Sequence, residues 1–208
     1  MNIIVLANQK GGVGKTTLAG HLAVQASLNE KTAILDADPQ GSLSDWWNVR
    51  ASNSPIFASA NIDLLNDAIT ALRNEGVKYL LIDTPPAVTD TIRKVIEHAD
   101  LVVIPTRPGP HDLRAVGKTI DLVNECEKKM VFVINGAAHR ARITADAAIA
   151  LSQHGAVSPV IIYQRTDYAG SMVDGRTVTE LDDRSKSSAE IAELWNYVSM
   201  HLRKGGRK

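Results

Sequence analysis

The eight residues from Lys10 to Thr17 read KGGVGKTT, and their types and spacing suit the binding of phosphate. Glycines let the backbone curl without Cβ clashes, so that successive N–H groups can point at one anion. The Lys15 ammonium can then reach the β- and γ-phosphates of a nucleoside triphosphate, while the Thr16 hydroxyl can ligate Mg²⁺. We therefore predict a nucleoside triphosphate site formed by Lys10, Gly11, Gly12, Val13, Gly14, Lys15, Thr16 and Thr17.

The elements on either side of this stretch are those that a phosphate-binding loop requires. An apolar run over residues 3–7 predicts a buried strand before it. Leu18, Leu22 and Ala26, spaced four apart, predict the buried face of a helix after it. The start of that helix adds unpaired N–H groups and the positive end of its dipole. This context favours a phosphate-binding loop over a chance glycine- and lysine-rich turn.

One position departs from the ordinary Walker A pattern. Gln9 stands where that pattern has its first glycine, and a second lysine, Lys10, opens the loop instead. This KGGxGK[ST] form resembles the deviant Walker A motif of the ParA/MinD family of P-loop ATPases. The resemblance implies that Lys10 reaches across an ATP-bound homodimer to the phosphates of the partner's nucleotide. There it would neutralise charge that develops during phosphoryl transfer, so Lys10 joins Lys15 among the expected catalytic residues.

Carboxylates follow two further apolar runs. Residues 32–35 lead into DADPQG, which resembles the family's switch I motif and implies that Asp38 orients the attacking water. By the same resemblance Asp36 lies near the Mg²⁺ shell, although turn formation and helix capping explain it as well. Residues 79–82 lead into Asp83, a Walker B pattern that delivers a carboxylate beside the Mg²⁺, directly or through a water. The expected metal residues are Thr16, Asp38 and Asp83.

Three later segments resemble family motifs near the γ-phosphate and the base. The stretch from Thr84 to Ala87 resembles switch II, which senses the γ-phosphate and faces a dimer partner. Asn135 ends an apolar run at the family position that hydrogen-bonds adenine, although a turn before Gly136 would explain it too. Gln164 and Arg165, followed by GRTVTE from residue 175, resemble the family's late arginine loop, which closes over the base.

Predicted strands and helices alternate along the whole chain. This pattern predicts an α/β fold with a mostly parallel twisted sheet of seven or eight strands and helices on both faces. Among these elements we expect a long helix up to about Lys129 and a strand over residues 157–162. Ser187 and Glu190 suggest a capping box at the start of the last helix. We expect one domain over residues 1–208, without the N-terminal helix-turn-helix extension of larger plasmid ATPases.

The composition excludes some functional classes. Of the 208 residues, 44% are apolar, and the 23 basic side chains balance the 23 acidic ones, so no global basic field indicates nucleic acid. Cys126 is the only cysteine, which rules out an internal disulfide and gives no sign of a thiolate metal site. The sequence shows no signal peptide and no apolar run near 18 residues, so we expect a cytoplasmic protein.

The resemblance also implies a function. Members of the family dimerise around two ATP molecules, bind DNA without sequence preference as ATP dimers, and hydrolyse ATP slowly until a partner stimulates them. We therefore expect an ATPase that segregates plasmid or chromosomal DNA and is associated with the nucleoid, like the short ParF/Soj-type ParA proteins. The expected partners are a second copy of the chain, non-specific DNA, and a ParB-like or ribbon-helix-helix centromere-binding protein.

Basic clusters supply the candidate DNA contacts, because phosphate binding needs lysine and arginine on one face. The candidates are Arg140, Arg142, Arg184, Lys186, Arg203 and Lys204. Each cluster could equally be ordinary solvated surface. The same ambiguity applies to His111, Arg114 and Lys118 on one face of the long helix, which could be a solvated edge or a contact with a dimer or other partner.

Three alternatives to DNA segregation remain open. The amphipathic last helix with its basic end has the format of a MinD-like membrane anchor, although packing on the core explains its apolar face and Glu190 and Glu193 oppose anionic lipid. Related ATPases position protein cargoes with the same motifs. A metabolic ligase of the same fold is the third alternative, and the combination of Lys10 with the switch I pattern argues against it.

Overall fold

The computed structural model describes residues 1–59, 62–86 and 90–203, except for the Arg203 side chain. Within these ranges the strands β1 to β8 are Asn2–Leu6, Thr32–Asp36, Ile56–Ala58, Tyr79–Asp83, Leu101–Thr106, Met130–Ala137, Ala156–Val157 and Ile162–Tyr163. The helices α1 to α9 are Lys15–Ser27, Ser42–Asn48, Leu65–Asn74, Asp90–Glu97, Pro110–Glu125, Arg142–Ser152, Thr166–Met172, Val178–Leu181 and Lys186–Arg203. A 3-10 turn over Ile62–Leu64 precedes α3.

The strands form one eight-stranded sheet in the order β3-β2-β4-β1-β5-β6-β7, with β8 also paired to β6. Every described pair is parallel. The predicted α/β fold with a mostly parallel sheet is therefore confirmed. Parallel strands need crossover connections, and these place helices over both faces.

Alternate residues of each central strand enter two separate cores, as the two-residue period of a strand requires. In β1, Ile3 and Val5 pack under α3, α4, α5 and α6. Ile4 and Leu6 pack on the other face, under α1, α2 and α9. Because both faces are covered, the strands read as continuous apolar runs. The predicted buried residues of α1, Leu18, Leu22 and Ala26, lie in the second core.

Two element predictions were wrong in their bounds. Residues 157–162 are not one strand, because the sheet holds only β7 and β8 there and Pro159 between them has no N–H to donate. Helix α5 ends at Glu125 rather than near Lys129. Glu127 takes a left-handed conformation with φ of 55°, and Lys128 N–H donates back to Val123 O at 3.1 Å, which closes the helix.

The capping box predicted at the start of the last helix was also wrong. Ser187 lies inside α9 and is fully buried, with its hydroxyl donating to Asp167 at 2.7 Å. The residue in the capping position is Ser185, whose Oγ accepts the Ser188 N–H at 3.1 Å. A capping box does occur earlier, where Thr177 and Glu180 bond each other reciprocally at the start of α8.

The apolar face of α9 belongs to the core. Ile191, Leu194 and Val198 are all fully buried against α1 and the sheet. That face is therefore not free to lie on a bilayer, which argues against the membrane-anchor alternative for this helix. No helix in the described part of the chain is long and apolar enough to cross a membrane.

His21 is a buried polar group that joins α1 to α7. Its ring is fully buried, Nδ1 lies 2.8 Å from Thr17 O, and Nε2 lies 3.3 Å from Ser171 Oγ. Burial lowers the pKa of His21 to about 4, because the imidazolium would lose its hydration there. The folded chain therefore keeps this ring neutral at every pH above that value.

We expect this burial to make stability depend on pH. The unfolded chain binds a proton at His21 below about pH 6.5, whereas the folded chain does so only near pH 4, so stability falls as the pH drops between those values. Linkage gives a loss of about 2 kcal/mol between pH 7.5 and pH 5 from this group. Urea unfolding of the wild type and of His21→Gln at both pH values measures it. Equal pH dependence in the two proteins would contradict the assignment.

Candidate functional site

The candidate site lies where the carboxyl ends of β2, β4 and β1 meet. These three strands are neighbours in the sheet, and Asp83 stands in register with Leu6 on one side and with Asp36 on the other. Loops that leave such adjacent parallel strands converge on one crevice. The crevice here is a cleft of about 670 Å³, lined by Gly11, Gly12, Gly14, Lys15, Thr16, Thr17, Leu18, Asp38, Gln40, Ser42, Trp46, Pro86, Arg107, Asn135, Gly136, Ile162, Tyr163, Gln164, Arg165, Tyr168, Ala169 and Met172.

The glycine loop needs a glycine at position 14. Gly14 caps α1 with φ of 92°, a left-handed conformation that side chains disfavour. A Cβ there would also collide with Nδ2 of Asn135. That same nitrogen donates to Val13 O at 2.6 Å, so β6 fixes the loop at the start of the helix. The N–H groups of the first turn of α1 are thereby available to an anion in the cleft.

Lys15 supplies the positive charge of the cleft. It is only 6% exposed, and burial lowers its pKa, while the carboxylates of Asp83 and Asp38 act in the opposite direction. An ammonium held in such a poorly hydrated place interacts strongly with any anion that enters. A triphosphate lying along the loop would meet Lys15 together with the N–H groups of α1.

Thr16 and Asp83 form a pair of oxygen donors suited to a hard divalent cation. The Thr16 hydroxyl donates to Asp83 Oδ2 at 2.5 Å, and Asp83 is fully buried. Burial raises the pKa of Asp83 to about 7, against the hydrogen bond from Thr16, which lowers it. A cation would relieve this burial penalty by favouring the carboxylate. The donors fit Mg²⁺, which prefers oxygen ligands and keeps several waters.

No cluster of three or more His, Cys, Asp or Glu side chains that could hold a metal occurs among the described residues. Mg²⁺ usually keeps several waters and binds together with substrate phosphates, so phosphate oxygens and water would complete its coordination here. The bound ion would neutralise charge on the phosphates during transfer. The protein would contribute the Thr16 hydroxyl and the Asp83 carboxylate, with Asp38, the third residue predicted for the metal, lining the cleft.

Asp36 and Asp38 have different surroundings although they are two residues apart. Asp36 Oδ2 accepts both the N–H and the hydroxyl of Ser44, at 2.9 and 3.0 Å, and thus caps α2. Asp38 Oδ1 accepts the Gln40 N–H at 2.9 Å, and its half-buried carboxylate lines the cleft. The structure therefore gives Asp36 a capping role and leaves Asp38 facing the site.

The residues expected at the base, Asn135, Gln164 and Arg165, all line the cleft. Asn135 lies beside the glycine loop, where its amide already donates to Val13 O. The Arg165 guanidinium is already paired, since Nη2 and Nε lie 2.6 and 3.1 Å from Oε1 of Glu190. The Tyr168 hydroxyl donates to the other carboxylate oxygen at 2.6 Å. Glu190 on α9 thereby orients two side chains of the cleft wall.

Several lining residues escaped the sequence prediction. Arg107 directly follows β5 at the carboxyl edge of the sheet and packs over Gly136, whose added Cβ would lie 3.5 Å from the Arg107 Nε. Tyr163 stacks on His139 with ring centroids 4.0 Å apart. The sequence could have indicated Arg107 as a lining residue, because it comes directly after a buried strand. Nothing in the sequence distinguishes Tyr163 from a residue at an ordinary strand end.

Of the predicted nucleotide-site residues, Val13 and Asp83 are fully buried and do not line the cleft. Lys10 does not line it either. Its ammonium points to α5, where Nζ lies 2.7 Å from Oδ1 of Asp112. The residue instead lines a neighbouring cleft of about 440 Å³ together with Gln9, Gly11, His111, Arg114, Ala115 and Lys118. Within one copy of the chain, Lys10 therefore lies outside the nucleotide cleft.

The DNA candidates lie outside the cleft as well. Arg140 and Arg142 are exposed at the loop between β6 and α6. Arg184 and Lys186 are exposed at the start of α9, beside the exposed carboxylates of Asp182 and Asp183. Of Arg203 only the backbone is described, and Lys204 lies outside the described residues, as does Ala87 of the expected switch II segment.

Comparison with known proteins places this site in a family. A family model described as the CobQ/CobB/MinD/ParA nucleotide binding domain matches residues 4–178. The chain belongs to this family. As a ParA/MinD-type protein it is an ATPase, and it uses ATP and Mg²⁺. The matched range runs from β1 to the start of α8 and so contains the whole glycine loop, Asp38 and Asp83.

Individual ParA/MinD-family proteins resemble the chain to different extents. It is 28% identical over 207 residues to the maintenance of carboxysome distribution protein A of Halothiobacillus neapolitanus, covering 94% of this chain and 95% of that protein. It is 30% identical over 152 residues to the chromosome-partitioning ATPase Soj of Thermus thermophilus, covering 59% and 61%. Apo McdA of Cyanothece shares the fold, with a TM-score of 0.79 at 18% identity over 97% of this chain and 99% of that one.

Proposed function

We propose that the chain is an ATP-dependent dimerising switch that binds DNA without sequence preference as the ATP dimer and distributes a cargo over it. ATP brings two copies together face to face, and a partner protein stimulates hydrolysis and releases the dimer from DNA. In this proposal Asp38 orients the attacking water, while Lys15, Thr16 and Asp83 hold the phosphates and Mg²⁺. Asn135, Gln164 and Arg165 form the base end of the site.

The position of Lys10 carries the proposal. Its side chain is 37% exposed and directed away from the cleft of its own chain, yet it belongs to the same glycine loop as Lys15. A lysine placed in this way is available to phosphate that is bound in another copy docked against the loop. Such a contact would supply positive charge to the transition state, as an arginine finger does in other nucleotide hydrolases. It would also make hydrolysis depend on dimerisation.

Two kinds of cargo are consistent with the relatives. Soj and ParA relatives carry names that refer to chromosome partitioning, which supports a DNA replicon bound through a ParB-like or ribbon-helix-helix protein. A relative that aligns over 94% of this chain is named as a carboxysome distribution protein, which supports a protein body as cargo. Both cargoes use the same switch. The partner protein would decide between them, and pull-down with the ATP dimer would identify it.

The first expected result is nucleotide-dependent DNA binding. With ATP the chain should bind a random-sequence duplex, and with ADP or no nucleotide it should not. If a dimer contacts about six phosphates, counterion release predicts a loss of about a thousandfold in affinity between 50 and 200 mM salt. Fluorescence anisotropy across a salt series measures this. Absence of binding with any nucleotide would overturn the DNA part of the proposal and leave the ATPase in place.

Charge-matched variants locate the DNA face. Arg140→Ala with Arg142→Ala removes one candidate cluster, and Arg184→Ala with Lys186→Ala removes the other. A contacting pair should weaken binding and flatten the salt dependence. Lys31→Ala with Lys78→Ala is the control, because these exposed lysines precede β2 and β4 at the opposite edge of the sheet. If this control lowers the affinity for DNA as much as the other variants do, only the net charge of the protein determines binding.

A further inference from the structure

Lys10 is held by a carboxylate of its own chain. Asp112, in the first turn of α5, places Oδ1 2.7 Å from Lys10 Nζ. The approach angle is poor for a hydrogen bond, so the contact is an ion pair. Among the described residues Oδ1 has no hydrogen-bond partner. The ammonium of Lys10 is therefore the charge that compensates this oxygen.

The carboxylate of Asp112 is fixed in place by its surroundings. Asp112 is only 8% exposed, and its Oδ2 occupies space that a Cβ at Gly109 would fill, at 2.8 Å. Its position in the first turn of the 16-residue helix α5 places the negative charge at the positive end of the helix dipole. Lys10 is much more exposed, at 37% for its side chain, so it is the mobile member of the pair.

A second contact ties the same part of the loop to α5. The Gln9 N–H donates to Thr119 Oγ1 at 3.2 Å, which fixes the backbone just before Lys10. The other ionisable side chains of the neighbouring cleft are His111, Arg114 and Lys118. None of these is acidic, and the two permanent cations repel the ammonium of Lys10. Asp112 is thus the group that keeps Lys10 directed toward α5 rather than into solvent.

We infer that Asp112 is a positioning residue for Lys10, which it retains on its own chain until a second, ATP-bound copy offers phosphate. The inference rests on the proposed function, since it concerns the step at which Lys10 crosses to the partner. Leaving the buried Asp112 carboxylate unpaired is unfavourable, so the transfer requires a strong anion in exchange. A triphosphate with its additional charge provides more attraction than a diphosphate. Asp112 thereby raises the free-energy cost of dimerisation and helps to restrict dimerisation to the ATP-bound state.

Removing the charge of Asp112 should make dimerisation easier. In Asp112→Asn we expect the dimer dissociation constant with ATP to fall about tenfold, and a dimer to appear with ADP at concentrations where the wild type is monomeric. Light scattering over a concentration series measures both. The readout specific to the ion pair is a double-mutant cycle, because Asp112→Asn should have no effect in a Lys10→Gln background. Asp121→Asn, an exposed carboxylate on the same helix, is the matched control.

Each outcome bears on the inference. Wild-type-like or weaker dimerisation of Asp112→Asn would overturn it while leaving the proposed function intact, and so would an equal effect in the Lys10→Gln background. Failure of the wild type to dimerise with ATP would instead overturn the proposed function. Thermal denaturation checks folding. If Asp112→Asn does not fold, Asp112→Ser is tested instead, because serine suits a first helical turn. We expect the same easier dimerisation from it. Failure of both variants to fold would show that Asp112 is a structural residue only.

Discussion

Lys15→Ala is expected to lower the affinity for ATP at least about a hundredfold, or ~2.8 kcal/mol. Lys15 is 6% exposed and lines the nucleotide cleft beside the loop glycines. Hydrogen bonds to charged groups contribute about 1.5–3 kcal/mol each, and the poorly hydrated site strengthens them. Loss of the ammonium also removes a positive charge that interacts with the Asp83 and Asp38 carboxylates, so these carboxylates would repel the phosphates more strongly. Isothermal titration calorimetry with ATP and Mg²⁺ measures the change.

Two controls separate this effect from misfolding. Lys15→Met keeps most of the apolar volume of the side chain and should lose affinity to the same degree. Lys31→Ala removes an exposed lysine that pairs with Glu75 far from the glycine loop, and it should bind ATP like the wild type. Near-normal ATP binding by a folded Lys15→Ala variant would show that this lysine does not contact the phosphates.

Local sequence patterns predicted the fold well. Apolar runs followed by aspartate mark the ends of β2 and β4, and these ends lie beside the end of β1 at one edge of the sheet. The reason is physical, because parallel strands covered on both faces must be apolar throughout and deliver their polar residues at the same end. Asn135 does not mark a strand end, because β6 continues to Ala137. The strand order itself is not encoded in any such local pattern.

Contacts between distant residues were not predictable in this way. Glu190 fits a capping pattern with Ser187, but its carboxylate is bonded to Arg165 and Tyr168, which lie more than twenty residues earlier. A pattern of four residues cannot show from which of several donors a carboxylate will accept hydrogen bonds. The Arg50–Glu180 ion pair at 2.8 Å, which joins the segment after α2 to α8, is another long-range pair of this kind.

The pair of Lys10 and Asp112 shows the same limit at the site itself. The loop motif indicates that Lys10 is unusual, and the helix pattern places Asp112 in a first turn. The two residues are 102 positions apart in the sequence, and neither pattern predicts that they are in contact. Their contact depends on β5 lying next to β1, which brings the start of α5 beside the glycine loop. The sequence could suggest that Lys10 acts in a dimer. The structure adds where Lys10 lies in a single copy of the chain, before a dimer forms.

Asp38→Ala is expected to preserve ATP binding while reducing hydrolysis about a hundredfold or more, the range over which a positioned acid–base group contributes. Asp38 lines the cleft, and the only hydrogen bond that its carboxylate makes within the described residues is from the Gln40 N–H, so its removal disturbs the fold little. Removing a negative charge near the phosphates also favours ATP. Phosphate-release assays measure turnover, and light scattering should show a dimer that persists with ATP.

Asp36→Ala is the matched control, because it removes a carboxylate two residues away with a different task. Asp36 caps α2 through the N–H and hydroxyl of Ser44, so this variant should lose about 1 kcal/mol of stability, visible as a lower melting temperature. Persistent dimers on DNA with Asp38→Ala, but not with Asp36→Ala, would tie the release step to hydrolysis at Asp38. If Asp38→Ala stays monomeric with ATP, or turns over like the wild type, another group must orient the water. The half-buried Asp38 would then be only a turn residue.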